Sequence, residues 1–136
     1  MGVNGANLME LCSKLHTMRN LQLEELRDHC LSKAAVTESF PFDASTLVFK
    51  VGGKMFALCD VDDFSGINLK CDPQHAQILR ETYDAVAPGW HMSKVHWNTV
   101  SVDRDAPREL ILQWVDDSYA LVVGSMTKKT RAEHGL

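Results

Sequence analysis

A change of period at Thr46 constrains this chain more than anything else in it. Up to about Ala34, apolar residues return every three or four positions, as on one side of a helix. From Thr46 the step is two, and Leu47, Phe49 and Val51 share one strand face. Gly52-Gly53 follows directly and reads as a tight turn, because two adjacent glycines accept the positive φ values that short hairpins need. Lys54 to Asp60 then returns as a second strand, and its near-continuous apolar centre, Met55 to Cys59, suits a strand with neighbours on both sides. Asp62, Asp63, Ser65 and Gly66 make the next turn, and Ile67 to Lys70 a third strand with Ile67 and Leu69 inward. The pattern predicts an antiparallel meander.

Helical signals flank it. Leu23, Leu26 and Cys30, extended by Ala34, predict an amphipathic helix over 21–34, with Asn20 as its cap and Glu24 and Glu25 in its first turns. Val36 to Asp43, with Pro41, reads as a break. Asp72-Pro73 is a sharp helix start, and Ala76, Leu79 and Tyr83 bury one side. After Pro88-Gly89, Val95 to Val100 predicts a fourth strand. Pro107 opens a helical region carrying Leu110, Ile111, Trp114 and Val115, continued by Tyr119, Leu121, Val122 and Met126 after a bend near Asp117-Ser118. Lys128, Lys129 and Arg131 lie near its end, and His134 to Leu136 are expected to fray. Residues 1–19 are expected to be a partly flexible N-terminal extension, with a short helical stripe at Leu8, Leu11, Cys12 and Leu15. The domain is placed at 20–131 and a C-terminal tail at 132–136. Helix, strands, helix, strand, helices is the order of an α+β fold, an antiparallel sheet with helices packed on one face.

Length and charge limit function. A chain of 136 residues, 45% hydrophobic, suits one domain with one core. A formal net charge of -4 excludes a broadly basic nucleic-acid binder, so any such contact must come from a local patch. No apolar run reaches the ~20 residues of a bilayer span, so no membrane partner is expected. The first residues lack a secretory pattern, which predicts a cytoplasmic protein. Cys12, Cys30, Cys59 and Cys71 show no Cys-x-x-Cys spacing, so free buried thiols are expected rather than a metal site.

Chemistry concentrates in residues 90–98. Trp90, His91, Lys94, His96, Trp97 and Asn98 put aromatic, basic and amide groups into one strand-length run. His91 and Lys94 are expected to border a polar cleft, with His96 in a structural hydrogen bond. Trp90 and Trp97 suit either packing or base stacking. Lys50, Lys54 and Lys70, with Lys94, form an anion-binding patch if folding gathers them, and an edge decoration if it does not. Asp43 can cap a turn or pair with a lysine. Ser118 beside Tyr119 lacks a nucleophile elbow, and its hydroxyl is expected to bond backbone at the helical bend. No catalytic set or cofactor motif emerges, and a metal is not expected: His91 and His96 fall on opposite faces of a strand and would need a turn at Met92-Ser93, with Asp60, Asp62 or Asp63 adding oxygens, to share one.

Ser39-Phe-Pro-Phe-Asp43, Val51-Gly-Gly-Lys-Met-Phe-Ala57, Asn68-Leu-Lys-Cys-Asp-Pro73, Pro88-Gly-Trp-His-Met-Ser-Lys94, His96-Trp-Asn98 and Ser118-Tyr119 occur in an order that resembles the MmcQ/YjbR family, from about Leu21 to Arg131. The resemblance implies a CyaY-like fold with a double-wing arrangement from which DNA binding has been inferred. It implies no catalytic residues. The expectation is a non-enzymatic binding domain with DNA as partner, the Gly52-Gly53 hairpin serving as one wing. The alternatives are a small anionic ligand or a protein held in the Trp90–Asn98 cleft, and, less supported, an enzyme using His91 or Asp43.

Overall fold

The computed structural model describes residues 20–136. The expected extension at 1–19, with Cys12, lies outside the described residues. In chain order the elements are α1 (Leu23–Leu31), β1 (Val36–Ser39), β2 (Thr46–Val51), β3 (Lys54–Asp60), β4 (Gly66–Lys70), α2 (Pro73–Thr82), β5 (Val86–Pro88), β6 (Trp97–Ser101), α3 (Arg108–Gly124) and α4 (Lys128–Glu133). The fold is α+β. Six strands form one antiparallel sheet in the order β1-β2-β3-β4-β6-β5.

The β2–β3–β4 meander is as the alternation predicts. Gly52 and Gly53 take φ values of +55° and +83° at the hairpin tip, which glycine adopts without Cβ strain. Two strands escape the sequence pattern. The segment expected to be a break contains β1, paired with β2 from Val36↔Val51 to Ser39↔Val48. The three-residue β5 pairs with β6 at the opposite edge.

The helices do not all follow their expected bounds. Asn20 does not cap α1; the N-cap is Gln22, whose side-chain amide donates back to the Asn20 carbonyl at 3.2 Å. Asp72 does cap α2, accepting from the His75 N–H at 3.2 Å, with Pro73 at the first turn. There is no break at Asp117-Ser118: α3 runs through to Gly124, and the lysines belong to a separate α4. The last residues are tied down rather than frayed. The Leu136 N–H donates to the Arg131 carbonyl at 2.8 Å, and Leu136 packs against the core.

That core lies between the sheet and the helices. Leu47, Phe49, Val51, Phe56, Ala57, Cys59, Ile67, Leu69 and Val100 from the strands meet Leu26 and Cys30 of α1 and Ile111, Trp114, Val115 and Val122 of α3. Phe56 reaches this side because β3 bulges there: Phe49 faces Ala57 while Lys50 faces Met55, leaving Phe56 without an opposite residue. Its ring meets Tyr119 edge-on at 5.4 Å. Among the described residues, no helix covers the other face. It holds a small apolar cluster of Val48, Leu58 and Trp97, with Met55 and Met92 against it.

Candidate functional site

The register sorts the helix-free face into three rows. One contains Val48, Leu58, Asn68, Thr99 and Ala87, paired in sequence across five strands. Toward the Gly52-Gly53 hairpin, the next row holds Lys50 opposite Met55, and Lys70 opposite Trp97. Toward the far end, Thr46 faces Asp60 and Gly66 faces Ser101. Lys50 and Lys70 thus share a row two strands apart, about 10 Å between backbones. Lys54 is exposed at the adjoining hairpin. Asp43, Asp60, Asp62 and Asp63 gather at the opposite end, where β2 begins and β3 turns into β4.

Residues 89–96 cross this face as a loop, and the strand expected from Val95 begins only at Trp97, as β6. The Gly89 N–H donates to the Trp97 carbonyl at 2.8 Å, and a Cβ on Gly89 would come within 2.8 Å of the Trp97 Cβ. The next residue is held by its backbone: the Trp90 N–H donates to Thr99 Oγ1 at 3.0 Å, and that hydroxyl donates to Asn68 Oδ1. The Trp90 indole is left 71% exposed, stacked on the His91 ring at 4.7 Å. His91 takes a left-handed φ of 58° to make the turn. Met92 goes down into the apolar cluster. Lys94 is exposed, and its Nζ donates to the Gly89 carbonyl at 3.4 Å.

Arg80 of α2 fastens the far side of the loop. Its Nε donates to Asn98 Oδ1 at 2.7 Å, and its Nη2 to the Trp97 carbonyl at 3.2 Å and to the Lys94 carbonyl. His96 is exposed, and its structural contribution is its backbone carbonyl, which accepts from the Cys71 N–H at 2.8 Å.

Trp90, His91, Met92, Asn68 and Thr99 form one side of a cavity of about 590 Å³ on this face; Phe42, Asp43, Asp60 and Asp63 form the other. Phe42 is 63% exposed. Asp43 shapes this rim as a turn cap rather than as a lysine partner. It accepts from the Thr46 N–H at 2.6 Å and the Ser45 N–H at 3.0 Å, and those donors hold its carboxyl below the usual range.

Two expected site residues leave the accessible surface. Trp97 is 8% exposed under the loop, and Asn98 is 2% exposed on the helix side of the sheet. Alternation explains the split, since neighbours on a strand face opposite ways. Lys50, Lys54, Lys70, Trp90, His91, Lys94 and His96 remain at least partly accessible. Sequence reasoning weighed Asp60 and Asp63 only as oxygen ligands for a metal and Phe42 only as packing, and it missed Asn68, Thr99 and the buttress Arg80. Only Asn68 and Thr99 carried a signal, as polar residues alternating with apolar ones in strands. Among the described residues, no group of three or more His, Cys, Asp or Glu is arranged to hold a metal ion, and no helix is long and apolar enough to cross a membrane.

A family model described as YjbR matches residues 31–121. The protein YjbR of Escherichia coli is 30% identical over 112 residues, which cover 82% of this chain and 95% of that protein. YbdF of Escherichia coli is 36% identical over 91 residues, covering 66% of this chain and 75% of that one. Both are described as uncharacterised. Among solved structures, protein DR2400 of Deinococcus radiodurans superposes with a TM-score of 0.81 at 39% identity, covering 88% of this chain and 90% of that one.

Proposed function

The chain belongs to the YjbR family, and on that footing we propose that it is a non-enzymatic binding domain that takes DNA on the helix-free face of its sheet. The β2–β3 hairpin and the 89–96 loop act as two wings in a CyaY-like arrangement. One observation carries this reading: the strand register puts Lys50 and Lys70 in one row, beside the hairpin that bears Lys54. Lys94 stands on the other wing. Phosphate contacts confined to these side chains neutralise a negative chain locally, although the protein as a whole is acidic. The exposed Trp90 ring offers a stacking surface for an unpaired base, which favours single strands over duplex.

The test is a titration of labelled single-stranded and duplex oligonucleotides at low and moderate salt. Four lysines set a duplex salt slope no steeper than about −3.6. K50E/K70E should weaken binding at all sequences alike. An absence of binding at high micromolar protein and low salt sinks the proposal, as does unchanged affinity in K50E/K70E.

The acidic end favours a second reading. Asp43, Asp60 and Asp63, with Phe42 and Trp90 as aromatic walls, suit a small cation or the basic side chain of a protein partner more than the anion expected from sequence. Agmatine, followed by quenching of Trp90 fluorescence, separates the two: saturable quenching abolished in Asp60→Asn supports the cleft reading.

A further inference from the structure

A second cavity lies on the opposite side of the sheet, between α2, α3 and strands β4 and β6. Its volume is about 180 Å³, and Leu69, Leu79, Val100 and Trp114 are among its apolar walls. Apolar cavities of about 150 Å³ admit benzene, so this one is the size of a single substituted ring. Asn98 is also on its wall. Asn98 is 98% buried by area (2% exposed), and its Nδ2 is a buried side-chain nitrogen with no hydrogen-bond partner among the described residues.

The orientation of that amide is fixed. Arg80 Nε can only donate, so the atom 2.7 Å from it must be Oδ1. Turning the amide over would set two donors against each other. The NH2 group is therefore held where none of the described residues accepts from it, an arrangement that costs about 1–3 kcal/mol. A water there needs two to four polar partners, and most of the cavity's accessible lining is hydrocarbon. An acceptor carried in by an apolar ligand satisfies the amide and fills the space together.

We propose that this cavity is a binding site for a small uncharged ring compound bearing one carbonyl oxygen, recognised by the unpartnered Asn98 amide. The lining carries charges of both signs, Lys70 with Asp72 and Asp117, so it selects no net charge on the ligand, and the apolar walls favour an uncharged one. Cys71 and His75 are also at the rim, with Sγ and Nδ1 3.7 Å apart. Burial, with the Asp72 and Asp117 charges, raises the thiol pKa and keeps the sulfur protonated. The pair marks the entrance and does not attack the ligand.

The experiment titrates the full chain with acetophenone and with ethylbenzene, which keeps the ring and the two-carbon substituent without the oxygen. The readouts are the Asn98 side-chain amide resonances and the rate of Cys71 alkylation in a Cys12→Ser background. Acetophenone should shift the amide resonances saturably in the millimolar range or below, slow alkylation, and bind roughly tenfold more tightly than ethylbenzene. Asn98→Asp keeps the acceptor for Arg80 and replaces the donor with a second oxygen. It should abolish the preference while the chain stays folded. L121W, which narrows the cavity from its exposed side, should weaken both compounds. No saturable shift with acetophenone overturns the proposal, as does an equal preference in Asn98→Asp and the parent chain.

Discussion

The Ser118 hydroxyl of α3 donates to the Phe56 carbonyl at 2.6 Å, the carbonyl of the bulged residue in β3. The same oxygen accepts from the Lys70 N–H at 2.9 Å, one residue past the last β3–β4 pair at Ala57↔Leu69. One fully buried hydroxyl therefore serves two strands where their own ladder has ended. It also fixes the backbone from which Lys70 emerges.

Ser118→Ala strands both backbone groups. The expected loss is roughly 2–4 kcal/mol of stability, read as a lower urea midpoint at an unchanged slope. A variant within about 0.5 kcal/mol of the parent would mean that water or a relaxed bulge replaces the hydroxyl.

Gly89→Ala and Gly53→Ala should differ in kind. At Gly89 the added carbon meets the Trp97 Cβ at 2.8 Å and the Trp97 carbonyl at 2.9 Å, so the loop must lift. At Gly53 nothing lies within 4 Å, and the cost is the φ of +83° alone. Gly53→Ala should lower stability by about 1–2 kcal/mol with an unchanged Trp90 environment. Gly89→Ala should alter Trp90 fluorescence and nucleic-acid affinity as well.

Asp105 accepts from the Asp84 N–H at 2.9 Å and the Ala85 N–H at 2.8 Å, and these bonds lower its pKa. With the folded pKa below the unfolded one, the unfolded chain binds more protons in the window between them. The contribution of Asp105 is therefore complete above the ordinary carboxylate range and is lost as pH falls through the folded value. Asp105→Asn should flatten the acid side of the melting-temperature profile and leave its alkaline side unchanged.

Burial pushes the Cys30 and Cys59 thiols up to about 12. In a Cys12→Ser background, a thiol reagent should label half-buried Cys71 slowly in the folded protein. Cys30 and Cys59 should react only after unfolding. Fast labelling of three thiols at neutral pH would show that the core opens.

Trp90 is exposed and is placed by backbone bonds, so its ring does little for the fold. Trp90→Ala should stay within about 0.5 kcal/mol of the parent in stability. It should lower single-strand affinity by about 1–3 kcal/mol. Equal losses of stability and affinity would make the ring a packing element.

The meander was legible because each of its strands places one set of residues in a helix-covered core. β1 was not, because only Val36 and Glu38 of its four residues are even half-buried. That edge is set by pairing with β2 and by Arg27, whose Nε donates to Glu38 at 2.9 Å. The bulge at Phe56 was hidden in an unbroken apolar run, where an extra residue leaves no gap in the pattern. The basic residues of the site could be named in advance, and their shared row could not, since register is a property of paired strands. Val95 and His96 misled for a related reason: alternation of residue types resembles a strand whether or not a neighbour exists to pair with it. The cavity beside Asn98 depends on α2 and α3 meeting the sheet together, and no local sequence signal reports it.

The lysines and aspartates occupy opposite ends of a face only about 13 Å long along β2. Such a separation gives the open side of the molecule an electrical direction. A polyanion exerts a torque on it before any contact forms, turning the hairpin forward and the β3–β4 turn away. Added electrolyte removes that alignment along with the attraction, so arrival rate should respond to ionic strength more sharply than departure rate.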